Sequence, residues 1–255
     1  MNLVVCKNRD ELASRAAEEF ASVAKESIEE RGAFAVALSG GSTPLLLYKR
    51  LLDASLDWER VYFFFGDERN VPPDEEASNF RNANKALFRP LRIREDRIFR
   101  WRTELGDPKA VADDYFVQLV NGFSEIQGAI AGEPAPRSPG VIQPVFDLIL
   151  LGMGSDGHTA SLFPDTAALE EKEKFAVQNW VAKLADWRYT LSFPVLNMAR
   201  NVIFLVAGGD KAEALEKVLE DQDSDLPAKR VQPANGKLSW FVDRAAAVKL
   251  SDANI

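Results

Sequence analysis

The sequence predicts an α/β fold: a single domain of 255 residues built as a three-layer, mainly parallel sheet with helices on both faces. Three observations predict it. Short apolar runs such as "AFAVALS", "VYFFF" and "VIFLVAG" are near-continuous, the pattern of strands covered on both faces. Between them lie stretches with apolar residues three or four apart, the spacing of an amphipathic helix. Glycine-rich segments follow the apolar runs directly, where a βα turn opens a helix.

Taken in order, "LVVC" is a first strand, and a helix follows with Leu12, Ala16, Phe20, Ala24 and Ile28 recurring four apart. Asn8 and Glu11 form a capping pair at its start. "AFAVALS" (33–39) is a buried strand, and "GGSTP" turns into a helix carrying Leu46, Leu47 and Leu51. "VYFFF" (61–65) is a second buried strand ending in "GDERNVP". A helix is expected through "SNFRNANKALF" (78–88), a strand around "RIFRW" (97–101) and a helix over 108–127. "AGEPAPRSPGVIQP" (131–144), with four prolines and two glycines, suits neither element. The α/β rhythm continues on both sides, so it reads as a surface loop inside one domain spanning 1–255. "VFDLILL" (145–151), "WVAKL" (180–184), "RYTLSF" (188–193), "VIFLVAG" (202–208) and "KLSWFVD" (237–243) read as further strands. A helix presenting Ala212, Leu215, Val218 and Leu219 on one face precedes the last of them.

Composition narrows the function. With 46% hydrophobic residues, 16 Phe and 5 Trp, the chain can fill one sizeable core. A net charge of −8 argues against a nucleic-acid or anionic-membrane binder, since both need a positive footprint. It leaves room for an anionic small substrate held by a local cluster of cations. A single cysteine, Cys6, excludes an intrachain disulfide framework, and one cysteine with one histidine excludes the usual His/Cys zinc sites. The N-terminus lacks a basic segment followed by a long apolar one, and no run approaches the ~18 apolar residues of a membrane span. A cytoplasmic protein, a monomer or at most a weak dimer, is expected.

Four segments place unusual chemistry at strand ends, where open α/β sheets bind ligands. In "SGGSTP", Gly40 and Gly41 allow close backbone approach, Ser42 or Thr43 can cap the helix, and the exposed N–H groups with the dipole make an anion site. No P-loop or dinucleotide fingerprint is present. In "GDER", Arg69 offers a bidentate donor for phosphate or carboxylate, and Asp67 and Glu68 are odd neighbours for an anion unless they position that guanidinium. In "AGGDKAEAL", Lys211 sits where a helix dipole disfavours a cation, a sign that a bound phosphate would reverse. "GMGSDGHTASLF" holds the only histidine, His158. Gly152, Gly154 and Gly157 permit tight geometry and could offer N–H groups to an oxyanion, with Asp156 and Thr159 as candidates to orient the ring or the substrate. An imidazole titrates near ~6.5 and suits a general base. There is no G-x-S-x-G elbow for a serine nucleophile. The residues thus point to an enzyme acting on a phosphorylated metabolite and leave the reaction open.

"ALSGGSTP", "FFGDERNVP" with "SNFRNA" just after it, "FDLILLGMGSDGHTASLFP", "RYTLSFPVLN" and "LPAKRVQPANGKLSWFVD" occur in the order found in 6-phosphogluconolactonases. The chain resembles that family from about residue 35 to 243. The resemblance implies a Rossmann-like sheet and hydrolysis of 6-phosphoglucono-1,5-lactone to 6-phosphogluconate, the second step of the oxidative pentose phosphate pathway, without metal or cofactor. It implies phosphate against residues 40–43, Arg69 and Lys211, with Asp67 and His158 facing the lactone ring and either Asp67 or Asp156 orienting the imidazole or the substrate. Arg188 of "WRYTLSF" matches an arginine lining the family's site, although the family carries prolines ahead of it where this chain reads "LADWRYT". Two alternatives stand beside this reading. Glucosamine-6-phosphate deaminases share a related core but continue "IAFNEP"-like where this chain has "TASLFP". A non-catalytic sugar-phosphate sensor would carry a DNA-binding extension, for which the first 35 residues leave no room.

Overall fold

The computed structural model describes residues 1–131 and 143–251, so the loop expected at 131–144 lies almost wholly outside the described residues. Strand β1 (Asn2–Cys6) leads into α1 (Arg9–Arg31), and β2 (Phe34–Leu38) into α2 (Ser42–Leu51). β3 (Val61–Phe65) passes through Gly66 straight into the short β4 (Asp67–Arg69). A broken helical stretch follows: α3 (Asn79–Ala83), a π turn (Asn84–Phe88) and α4 (Arg89–Leu91). The long α5 (Pro108–Ala131) precedes β5 (Leu148–Leu151), β6 (Ala176–Val181), β7 (Asp186–Leu191) and α6 (Phe193–Met198). β8 (Asn201–Val206), α7 (Ala212–Leu219) and β9 (Lys237–Asp243) complete the order.

Six strands pair in the order β1-β9-β8-β5-β2-β3, every neighbouring pair parallel. β2, β3 and β5 are buried at every position, which explains their unbroken apolar runs. Register shows what covers each face. Phe34 meets Phe20 of α1 edge-on at 5.3 Å, and Phe63, on the same face, packs on Phe88 at 5.0 Å. Phe64 points the other way, stacking on Phe99 at 4.7 Å and on Phe123 of α5 at 5.3 Å. Helices therefore cover both faces, as expected. At the start of α1, Asn8 Oδ1 accepts from Glu11 N (2.9 Å), and the Glu11 carboxylate reaches one residue beyond the cap to Lys7 N (2.6 Å).

Three local expectations are corrected. Residues 97–101 do not form a strand: Ile98 alone bridges to Phe63, because 3₁₀ turns at Glu95–Arg97 and Thr103–Leu105 close in from either side. The strand expected at 180–184 lies earlier, at Ala176–Val181, since Ala182–Leu184 is a 3₁₀ turn and Ala185 is left-handed (φ 48°). The helix expected at 78–88 is interrupted by its π turn and runs on to Leu91.

β4, β7 and β6 form a separate antiparallel sheet. Gly66 ties it to the end of the large one: its N–H donates to Leu38 O (2.9 Å) and its carbonyl accepts from Leu191 N (2.8 Å). In the large sheet β2 and β5 are neighbours, but the chain leaves β2 toward β3 on one side and β5 toward β8 on the other. The loops after these two strands diverge and open a crevice at the carboxyl ends, the position where such sheets bind ligands.

Candidate active site

The crevice is a cleft of about 700 Å³. On one side is the turn after β2. Helix α2 starts at Ser42 with Gly41 (φ 104°) as its N-cap, and no side chain caps it. The capping expected of Ser42 or Thr43 is therefore absent, because these residues are already inside the first turn. Their N–H groups belong to the uncapped, positive end of the helix dipole, and Gly40, Gly41, Ser42 and Thr43 all line the cleft.

The loop after β5 carries His158. Thr159 Oγ1 donates to Gly152 O (2.8 Å), Gly154 N to His158 O (2.9 Å) and Gly157 N to Gly154 O (3.0 Å), so the loop is folded on itself. A Cβ on Gly154 would lie 2.1 Å from His158 Nδ1, so only glycine admits the ring there. The imidazole stacks on Phe163 (4.0 Å between centroids, 24°). Its Nδ1 lies 2.5 Å from Asp156 Oδ1, and the second carboxylate oxygen is taken by the Lys183 ammonium. Lys183 also sits 4.6 Å above the Phe163 ring. A carboxylate only accepts, so Nδ1 carries the proton and Nε2 keeps its lone pair. Burial is the first cause that brings the imidazole pKa down to about 4; Asp67 opposes it, while Lys211, Arg188 and Arg69 add to the lowering. The ring is neutral at pH 7.

Cations converge on this imidazole. β4 pairs with β7 so that Arg69 stands directly opposite Arg188, and both line the cleft. Like charges in a cross-strand pair are destabilising, and an anion between them would relieve that repulsion. Arg69 is anchored on Ala77 O (2.5 Å) and Arg188 on Asp186 Oδ2 (2.6 Å). Lys211 reaches the cleft from the turn before α7, beside Asp210 at 2.9 Å. Asp67 is buried, accepting from Ser161 Oγ (2.8 Å) and Asn79 Nδ2 (3.2 Å). Ser39 and Asn79 also line the cleft, and Ser39 Oγ and Asn79 Oδ1 are buried without a hydrogen-bond partner among the described residues.

The structure thus gathers His158, Asp67, Arg69, Arg188, Lys211, residues 40–43, Gly152 and Gly154 around one space, while Asp156 and Gly157 stand outside its lining. Asp156 touches the imidazole and Asp67 does not. The N–H groups of Gly154 and Gly157 are engaged inside the loop, so they are not free for an oxyanion as expected from sequence. Glu68 does not position the Arg69 guanidinium; it accepts from the N–H groups of Asn79 (2.8 Å) and Phe80 (2.9 Å) and fixes the start of α3. Sequence reasoning missed Arg9, Lys183, Asn79 and Ser161. Arg9 was within reach of the strand-end rule, being the first residue of the helix after β1, and its guanidinium approaches Ser42 Oγ at 3.5 Å. Among the described residues no group of three or more His, Cys, Asp or Glu side chains gathers that could hold a metal ion.

The chain is similar to known proteins over most of its length. Residues 7–240 match the profile of the family described as glucosamine-6-phosphate isomerases/6-phosphogluconolactonase. The 6-phosphogluconolactonase of Synechocystis sp. is 40% identical over 228 residues, which cover 88% of each chain. That of Chlamydia trachomatis is 35% identical over 99% of this chain and 92% of its own. The crystal structure of 6-phosphogluconolactonase from Leishmania guyanensis superposes with a TM-score of 0.83 at 30% identity, covering 98% of both chains.

Proposed function

Since the chain belongs to the glucosamine-6-phosphate isomerase/6-phosphogluconolactonase family, we propose that His158 is the general base of the lactone hydrolysis it performs. The chain is an enzyme that hydrolyses 6-phosphogluconolactone to 6-phosphogluconate in the pentose phosphate pathway. One observation carries the chemistry: a neutral imidazole, its Nδ1 bound to Asp156, stands in a cleft whose other charges are mostly cationic.

A lactone is an activated ester, so a positioned water and a base are enough. The substrate phosphate lies at the uncapped start of α2, against Gly40, Gly41, Ser42 and Thr43, with Arg69 and Lys211 as charged partners and Arg188 beside them. This anchoring sets C1 near His158 and turns binding energy into orientation. His158 Nε2 takes a proton from water as the water oxygen bonds to C1. The carbonyl becomes a tetrahedral oxyanion in the field of the cleft cations. When the bond from C1 to the ring oxygen breaks, the imidazolium gives its proton to that oxygen, and the new carboxyl releases a proton to solvent. Asp156 fixes the ring and steadies the imidazolium, and Lys183 holds Asp156 in place. Asp67, with Ser39 and Asn79, faces the sugar hydroxyls. No helix among the described residues is long and apolar enough to cross a membrane; we read the enzyme as a cytoplasmic monomer, which sedimentation would check.

The test is proton release at constant pH from freshly made 6-phosphogluconolactone, corrected for spontaneous hydrolysis. His158→Ala in a folded protein is expected to lose about 10²–10⁴ in kcat/KM. Wild-type-like release by the variant would remove His158 from the base's role and make Asp67 the next residue to test.

A further inference from the structure

A second groove, of about 1170 Å³, shares none of the catalytic cleft's lining residues, although its Phe80 directly follows Asn79 of that cleft. Its first wall is the helical stretch from α3 to α4, which lines it with Arg81, Lys85, Arg89 and Arg92. Its second wall is the extended segment 98–102. There Phe99 and Trp101 are buried in the core, while Ile98, Arg100 and Arg102 line the groove. Phe80, Phe88 and Ile93 supply apolar lining between the walls, with the Arg100 guanidinium 5.1 Å over the Phe80 ring.

Arg100 and Arg102 are held by Glu104 and Asp114. Arg81, Lys85, Arg89 and Arg92 have no ion pair among the described residues, and the only acids lining the groove are Asp74 and Glu95. Between Phe80 and Arg102 the sequence has eight cationic and two acidic side chains, in a chain of net charge −8. Six of the eight cations line the groove, and the catalytic mechanism uses none of them. The π turn that carries Lys85 interrupts the helical wall, a feature often found at functional sites.

We propose that this groove docks an extended acidic segment of a partner protein, its apolar side chains against the aromatic floor and its carboxylates against the cationic walls. Charge complementarity and length favour this occupant. From Arg81 to Arg92 the helical wall runs about 16 Å at 1.5 Å per residue, which matches roughly five residues of extended chain at ~3.3 Å each. A compact polyphosphate would meet only part of such a row, and the acidic remainder of the surface opposes a nucleic acid.

The probe is a fluorescein-labelled eight-residue peptide of alternating glutamate and leucine, titrated with the full chain and followed by anisotropy. Saturable binding is expected, weakening as salt is raised. Lys85→Glu with Arg89→Glu should lower the affinity about tenfold or more and leave lactone turnover unchanged. If that variant fails to fold, the neutral pair Lys85→Gln and Arg89→Gln, both exposed, is expected to weaken binding by about threefold. Absence of binding, or binding indifferent to both variants, overturns the proposal. So does displacement of the peptide by inorganic pyrophosphate or a single-stranded oligonucleotide at lower concentration than by unlabelled peptide. Competitive inhibition of lactone turnover by the peptide would place it in the catalytic cleft and overturn the proposal as well.

Discussion

In the proposed mechanism His158 needs the orientation that Gly154 admits. Gly154→Ala would drive a methyl group into Nδ1 and break the contact with Asp156. Because Arg69, Arg188 and Lys211 stay in place, KM should hardly change while kcat falls by about 100-fold, the scale of a misplaced catalytic group. Steady-state kinetics beside circular dichroism of the folded variant checks this. The charges around the ring make a second prediction. If His158 is the base that we propose, it works deprotonated, so kcat/KM should rise with pH through about 4 and be level at neutrality. Lys211 helps hold the imidazole down, so Lys211→Met should move that acid limb to higher pH, whereas Asp67→Asn should move it lower. A pH–rate profile in which neither limb moves would mean that the titrating group is not His158.

At the scale of elements, the small sheet and the start of α3 are held by buried polar groups that the sequence does not advertise. Burial pushes the Glu68 carboxyl up, yet the backbone N–H groups of Asn79, Phe80 and Arg69 pull the other way by donating to it. Glu68→Gln turns an amide NH₂ toward those donors. It should cost about 1–3 kcal/mol in urea unfolding and loosen the Asn79 contact with Asp67. The same contrast marks what was legible. Strand-end glycine loops, buried strands and the α1 cap could be read, because local periodicity and capping chemistry encode them. The π turn in the helical stretch, the lone bridge at Ile98 and the shift of β6 could not, since neighbours in space decide them. Arg69, Arg188, Lys211 and His158 were found from strand ends or family resemblance. Lys183 was not: it lies in a turn of the antiparallel sheet, and only the approach of that turn to Asp156 gives it a role.

Across the whole molecule, the mainly parallel sheet was legible from its unbroken apolar runs, but strand order was not. β1 pairs with β9 at the far end of the chain, and nothing local specifies that. The cleft is equally non-local. Ser161 meets Asp67 across 94 residues, and the Tyr189 to Asn70 bond spans 119. Gly66, which ties the two sheets together, accepts from Leu191. Pairings between distant segments form slowly, because a long loop must close before any contact rewards it. Catalysis should therefore be a late event in the life of each chain. In refolding from urea, fluorescence of Trp58, which stacks on Phe63 beside the local β2–β3 pair, is expected to recover first, and lactone turnover only with the slower phase that closes the distant β4–β7 and β1–β9 pairings. Stopped-flow fluorescence alongside double-jump activity assays would reveal the lag; simultaneous recovery would mean that the cleft is assembled with the core.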